Sequence, residues 1–142
     1  MRQADDPVTE KAKLFAIRII RLYQHLTEEK REFVLSKQVL RSGTSVGANR
    51  TEAVYACSDK DFLYKNKVAL SECAETLYWL GLLQATGYIT DERFSTIFND
   101  CEELIKILTS IVKTLESKKD SLSGQVREVP LDEMYPLPDE LL

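Results

Sequence analysis

With 142 residues and a formal net charge of −4, the chain has the length of one domain with a substantial core. Glycine and proline are sparse, and apolar residues recur at helical rather than strand spacing, so we predict an all-α fold. No apolar run is long enough to cross a bilayer and no signal-peptide core opens the chain, so we expect a cytoplasmic protein without membrane contact.

The charge is unevenly distributed along the chain. Basic residues outnumber acidic ones in residues 1–71, and acidic residues dominate in residues 72–119 and most of all in 120–142. Nucleic-acid binding is therefore neither demanded nor excluded by charge. Three cysteines, Cys57, Cys73 and Cys101, show no CxxC spacing and fall in segments predicted to be helical. We expect reduced, buried thiols.

The first predicted helix begins at Pro7, with Asp6 as its N-cap, and runs to about Lys30. Its predicted buried side follows a helical period and comprises Ala12, Phe15, Ile19, Leu22, Tyr23 and Leu26. A second side carries a basic ridge, Lys11, Arg18, Arg21 and His25. Such a ridge is either a solvated surface or a phosphate-contacting one. After the helix, Phe33, Val34 and Leu35 are expected to tuck against the core.

The segment Gln38 to Ala53 reads QVLRSGTSVGANRTEA and lies within a second helix predicted from Ser36 to about Ala56. Its glycines, serines and threonines are poor helix formers, so the helix needs compensation from packing. Small residues let a neighbouring helix approach closely. The alternative is a phosphate-cradling loop, but a P-loop ends in Gly-Lys-Ser/Thr, whereas Gly47 is followed by Ala48 and Asn49.

A third helix is predicted from Asp59, capped by Ser58, to about Thr86, where Gly87 ends it. One side places two carboxylates, Glu72 and Glu75, among apolar residues, and a buried carboxylate needs a cationic or donor-rich partner. The polar side of the second helix supplies such partners. We therefore predict a buried network between the two helices, with Arg41 and Asn49 facing Glu72 or Glu75. Its predicted members are Arg41, Ser45, Asn49, Glu52, Glu72 and Glu75.

Thr90 is the expected N-cap of a fourth helix, whose apolar seam is sustained from Phe94 to Leu115 and which should end near Lys119. We thus divide the chain into a helical domain, residues 1–119, and an acidic, proline-containing tail, residues 120–142. The tail is expected either to dock through its apolar residues or to be mobile.

Candidate catalytic groups are few. Four-helix di-iron sites pair Glu-x-x-His units, whereas Glu72 and Glu75 have no histidine partner and His25 is the only histidine. A metal-dependent enzyme that uses Glu52, Glu72 and Glu75 is therefore the weakest hypothesis. No nucleophile set and no nucleotide fingerprint is present, so we predict a non-catalytic protein without metal or cofactor.

Several strings resemble the bacterial four helix bundle protein family. That family is similar to proteins encoded by intervening sequences in large-subunit ribosomal RNA genes and to the accessory variability determinant of diversity-generating retroelements. The matching strings, which lie between about Leu14 and Leu115, are LRSGTSVGAN (residues 40–49), Glu52-Ala53, Asp61-Phe62, Ala69-Leu70-x-Glu72 and ETLYWL (residues 75–80).

The resemblance implies an antiparallel up-and-down four-helix bundle that assembles as a ring-like homopentamer. In the retroelement member, a basic surface engages nucleic acid and a reverse transcriptase. The retroelement member is strongly basic, whereas this chain has a pI of about 5.1. We therefore carry the fold and the assembly over from the family before any binding of nucleic acid.

The leading hypothesis is a non-catalytic homo-oligomeric scaffold or adaptor. The alternative is an RNA- or DNA-binding accessory protein that acts with a nucleic-acid enzyme such as a reverse transcriptase. Its predicted nucleic-acid contacts are Lys11, Arg18, Arg21, Lys65 and Lys67.

Overall fold

The computed structural model describes residues 6–123, with side chains described up to Lys119. The described chain forms four helices and no strand, which confirms the predicted all-α class. The helices are α1 (Pro7–Glu28), α2 (Leu35–Val54), α3 (Asp59–Ala85) and α4 (Asp91–Ser123).

Three of the four helix starts are fixed by side-chain caps that the sequence predicted. Asp6, Ser58 and Thr90 each accept a hydrogen bond from the backbone N–H three residues ahead, at 2.7, 3.0 and 3.2 Å. These bonds satisfy amides that have no partner inside the helix. After α3, Gly87 adopts φ +81°, a left-handed conformation that glycine reaches without steric cost.

The start of α2 uses a different device. Val34 occupies the N-cap position, and its side chain makes no capping hydrogen bond. Instead, the carboxylate of Glu32 accepts hydrogen bonds from the backbone N–H groups of Leu35 (3.0 Å) and Ser36 (2.7 Å). Burial disfavours the ionised form of the Glu32 carboxylate, but the hydrogen bonds from these amides favour that form more strongly. The pKa of Glu32 therefore lies below its usual value. The expectation that Phe33 and Val34 tuck into the core is wrong, since they are 47% and 71% exposed.

Each helix packs against its neighbour in the chain, and α1 closes the bundle against α4. Short connections over residues 29–34, 55–58 and 86–90 make consecutive helices antiparallel. The helices therefore form an up-and-down bundle in which α1 and α3 lie on one diagonal and α2 and α4 on the other. The core holds the predicted apolar seams, including Phe15, Ile19 and Leu26 of α1 and Leu104 and Leu108 of α4. Tyr23 is only half-buried.

The glycines of α2 allow α1 to pack closely against it. A Cβ built on Gly43 would lie 2.7 Å from Cγ1 of Ile19, and one on Gly47 would lie 3.5 Å from the carbonyl oxygen of Ala12. Glycine at residue 43 is thus required by the close approach of the two helices. The segment that is a poor helix former is a full helix because this packing compensates for its low propensity.

Two boundaries differ from expectation. The second helix ends at Val54, so Cys57 lies in the turn before α3 and is exposed, not buried in a helix. The fourth helix continues to Ser123, beyond the expected end at Lys119. Most of the predicted tail, residues 124–142, lies outside the described residues, so the division into domain and tail remains a prediction.

Candidate functional site

The predicted contact between α2 and α3 forms around Arg41. Its Nη1 donates to Oε2 of Glu72 at 3.3 Å, and its Nη2 contacts Oε2 of Glu75. The same Glu75 oxygen accepts the indole N–H of Trp79 at 2.9 Å. One guanidinium therefore serves two carboxylates, and the cluster carries a net negative charge.

The expectation that this cluster is buried is wrong. The side chain of Arg41 is 50% exposed, and those of Glu72 and Glu75 are 19% and 35% exposed. The carboxylates sit at the edge of the contact between α2 and α3, where water reaches them, whereas the buried side chains of Ser42 and Thr76 meet in its interior. Water screens such pairs and lowers their contribution to stability.

The other predicted members do not join the cluster. Ser45 donates to the carbonyl of Arg41, and Asn49 donates to the carbonyl of Ser45, so both hydrogen-bond within α2. Glu52 is exposed and lies 3.8 Å from Lys65. Side chains one turn apart in a helix reach backbone carbonyls readily, and this local option satisfies both polar groups without α3.

A buried polar cluster does exist, around Arg50. This arginine is 1% exposed; its Nη2 lies 2.9 Å from Oδ2 of Asp6, and its Nη1 donates to Oδ1 of Asn66 at 2.7 Å. Its guanidinium carbon lies 5.6 Å from the centre of the Phe62 ring. The cluster ties the N-cap of α1 to α2 and α3.

Sequence reasoning missed this cluster, although a signal was available. Arg50 follows Val46 by four residues and precedes Ala53 by three, and both of those side chains are fully buried. Its register therefore places it on the core side of α2. Asp6 carried only a capping role in the prediction, yet it has a second one here. Burial disfavours its anion, but hydrogen bonds from Thr9 and Arg50 prevail and hold the pKa of Asp6 below its usual value.

Most of the predicted nucleic-acid contacts are engaged in ion pairs. Lys11 lies 2.6 Å from Glu103, Arg18 lies 3.0 Å from Asp100, and both acids belong to α4. Of the two cations on α3, Lys65 lies near Glu52, and Lys67 lies 2.6 Å from the buried carboxylate of Glu116. The fifth predicted contact, Arg21, hydrogen-bonds Gln24 at 3.3 Å. The five cations do not form one basic surface.

A groove between α1 and the start of α4 brings two of the predicted cations, Arg18 and Arg21, together with further basic groups. Its volume is about 820 Å³, and Ile17, Leu22, Ile89 and Ile97 are among its lining residues. The basic groups that line it are Arg18, Arg21, His25, Lys30 and Arg93, with Glu92 as the acid beside them. Arg18 is already paired with Asp100, 3.0 Å away, so part of this positive charge is compensated locally. His25 lies 2.7 Å from Glu29.

The remaining candidates for chemistry are dispersed. Within residues 6–123, no three histidine, cysteine or acidic side chains gather as metal ligands would. Cys73 and Cys101 are buried neighbours, and the Cys101 thiol donates to the Cys73 carbonyl at 3.4 Å. Its contact with Cys101, together with burial, raises the pKa of Cys73 well above its usual value. A protonated thiol is a weak nucleophile.

The profile of the 23S rRNA-intervening sequence protein family matches residues 4–110. The chain belongs to this family. The match spans α1, α2, α3 and more than half of α4, and it confirms the resemblance seen in the sequence. A search among proteins of curated function found no match.

A solved structure agrees with this assignment. The chain is similar to a protein of unknown function from the S23 ribosomal protein family of Bacteroides thetaiotaomicron, with 53% sequence identity and a TM-score of 0.74. The likeness covers 75% of this chain and 98% of the other. Family and neighbour thus support the four-helix fold and leave activity open. No helix within residues 6–123 is both long and apolar enough to span a bilayer.

Proposed function

We propose that this protein is a non-catalytic scaffold or adaptor that works as a homo-oligomer, with five copies in a ring as the family resemblance implies. The observation that carries the proposal is the surface of α3. Tyr64 and Tyr78 are 60% and 61% exposed on its outward side, and Val68, Trp79 and Leu82 lie beside them half-buried. Large apolar side chains exposed on the outward side of a helix that already packs on two neighbours suit a contact with a further protein surface. A further copy of the chain would supply that surface.

Sedimentation velocity or light scattering tests the assembly directly. A pentamer of this 16.3 kDa chain would have five times that mass at micromolar concentration. A mass that matches one chain would contradict self-assembly, and another integer multiple would contradict only the number five. Stoichiometric iron or manganese in the purified protein would contradict the non-catalytic part of the proposal.

A nucleic-acid-binding accessory protein is the second candidate, and the α1–α4 groove favours it. Its guanidinium groups suit phosphate, and each phosphate contact releases a counterion, so affinity should fall steeply with salt. In this reading the partner includes a nucleic-acid enzyme such as a reverse transcriptase.

The second candidate is tested by fluorescence anisotropy with labelled single-stranded RNA and DNA over a salt series. Arg93→Glu should abolish binding, whereas Lys37→Glu, an exposed charge reversal on α2, should change it far less. The absence of binding at low salt would remove this candidate and leave the scaffold proposal intact.

A further inference from the structure

Two grooves lie along the seam between α1 and α4, which is the least extensive of the four contacts between packed helices. The distal groove is the one described above, beside the start of α4, with a volume of about 820 Å³. The proximal groove, of about 470 Å³, lies between the start of α1 and the middle of α4. The residues that line the proximal groove are Pro7, Val8, Arg50, Lys106, Ile107, Ser110 and Ile111. Close packing of α1 on α4 is therefore interrupted at two places.

Both grooves leave apolar surface next to water. In the proximal groove, Ile107 and Ile111 are one turn apart on α4, and both are only half-buried, as is Val8 on α1. In the distal groove, Ile17 is 42% exposed. Apolar surface along a groove suits a chain segment that lies in it and removes that surface from water.

The chain leaves α4 on the side of the proximal groove. Because a helix advances about 1.5 Å per residue, Ser123 lies about 18 Å along α4 from the proximal groove and about 40 Å from the distal one. A polyproline II segment advances about 3.1 Å per residue, so residues 124–142 are long enough to fold back to both grooves. Leu131 then reaches the proximal groove, and Asp139 reaches the distal one. The family match covers residues 4–110 and leaves the position of this segment open.

The sequence of the segment predicts an extended conformation. Three prolines within residues 130–138 disfavour a helix there and favour extended backbone in the residues that precede them. Polyproline II has about three residues per turn, so Leu131, Met134 and Leu137 would fall on one side. Residues 128–142 also contain five acids and no base. The segment therefore combines an apolar ridge with carboxylates.

The distal groove offers individual cations to such carboxylates. Arg21, Lys30 and Arg93 line it, and none of them forms an ion pair within the described part of the chain. Exposed acids also stand in the groove or beside it, namely Glu28, Asp91 and Glu92. The groove is thus not a strongly positive surface. It suits a ligand whose carboxylates meet single unpaired cations and whose apolar side chains cover the floor.

We propose that residues 128–142 fold back along the α1–α4 seam of their own molecule. Leu131 and Met134 cover the proximal groove, and Asp139 and Glu140 meet the cations of the distal groove. Tethering favours this occupant over a separate partner, because a linked segment is present at an effective concentration on the order of millimolar. The bound segment also closes the distal groove to other anions, including nucleic acid. The contact does not require self-assembly, so it can be tested whether or not the protein assembles.

Paramagnetic NMR on the full-length protein tests this contact. A nitroxide is attached at Leu142→Cys, in a Cys57→Ser background that removes the exposed native thiol; the other two cysteines are buried. The label should broaden the amide signals of Arg21 and Thr96, which line the distal groove. It should leave the signal of Lys60 sharp, since the start of α3 is at the opposite end of the bundle. A segment free in solvent would give the reverse order, because its label stays tethered to the end of α4.

Two variants of the labelled protein should abolish the broadening at the distal groove. Met134→Asp places a charge against the proximal groove, and Arg93→Glu replaces a cation of the distal groove with an acid. The matched controls are Gln125→Asp, which precedes the docking segment, and Lys37→Glu, which is exposed on α2. Both controls should leave the broadening unchanged. Should circular dichroism show that Arg93→Glu is unfolded, Arg21→Glu repeats the test at a second exposed cation.

Each outcome decides for or against the contact. Broadening at the distal groove that both variants remove and both controls retain supports the inference. Broadening that is strongest near Lys60, or that survives both variants, overturns it. A mixture of isotope-labelled protein without nitroxide and nitroxide-labelled protein without isotope identifies the source. Broadening at the groove in this mixture would place the segment of another copy there and would overturn the contact within one molecule. These samples contain no nucleic acid, so neither result depends on the second candidate function.

Discussion

The two sides of α2 carry similar residues and behave very differently. Toward α1 and the bundle interior, Arg50 is 1% exposed, and Gly43 lies against Ile19. Toward solvent, Arg41 is 50% exposed although it also contacts two carboxylates. Both arginines are paired with acids. The difference is access to water, which screens one pair and not the other, so the two pairs should differ several-fold in their contribution to stability.

The largest expected effect is on the interior side. Arg50→Ala leaves the carboxylate of Asp6 buried without its cation and removes the donor to Asn66. Breaking a buried pair in this way costs about 3–5 kcal/mol. Urea titration at fixed protein concentration should show this loss in the free energy of unfolding. A loss below about 1 kcal/mol would mean that the Arg50 pair contributes as little to stability as a solvent-screened pair such as that of Arg41.

A second substitution on the interior side tests the close approach of α1. The new methyl group of Gly43→Ala would lie 2.7 and 2.8 Å from two carbons of Ile19, so the helices must move apart. Overpacking of this kind costs about 1–3 kcal/mol. Gly81→Ala is the control, because a Cβ there meets nothing within 4 Å, and it should stabilise by about 0.5–1 kcal/mol. Equal effects of the two changes would contradict the packing described here.

Acid should weaken the interior pair selectively. Because the pKa of Asp6 is below its usual value in the folded protein, its ionised form contributes stability above that usual value. The contribution disappears as pH falls through the lowered pKa. Asp6→Asn should therefore be less stable than the unmodified protein at pH 7, and the gap should narrow below about pH 4. A gap that stays constant between pH 7 and pH 3 would show that Asp6 does not titrate with folding.

The smallest expected effect is on the outward side. From the sequence, Arg41→Ala would have stranded a buried carboxylate at a cost of several kcal/mol. With Arg41 half exposed, we now expect a loss of about 0–1 kcal/mol, and 1 M salt should reduce it further. A measured loss above about 3 kcal/mol would indicate that the network around Arg41 is buried, as the sequence predicted.

The helices, three of their starts and the glycine that ends α3 were predictable because their causes are local. Asp6, Ser58 and Thr90 cap the backbone three residues ahead, and Gly87 supplies a left-handed turn, so a short window of sequence contains all the partners. The pairing of Arg41 with Glu72 and Glu75 also followed from residue spacing on two helices. Its burial did not follow, because burial depends on which side of α2 meets α3.

The sequence by itself thus determined the all-α class, the caps and the apolar seams, since helical periodicity and capping act over a few residues. Tertiary structure alone decided which arginine of α2 is buried. Asp6 and Arg50 are separated by 44 positions, and only the packing of α1 against the glycines of α2 brings them within 2.9 Å.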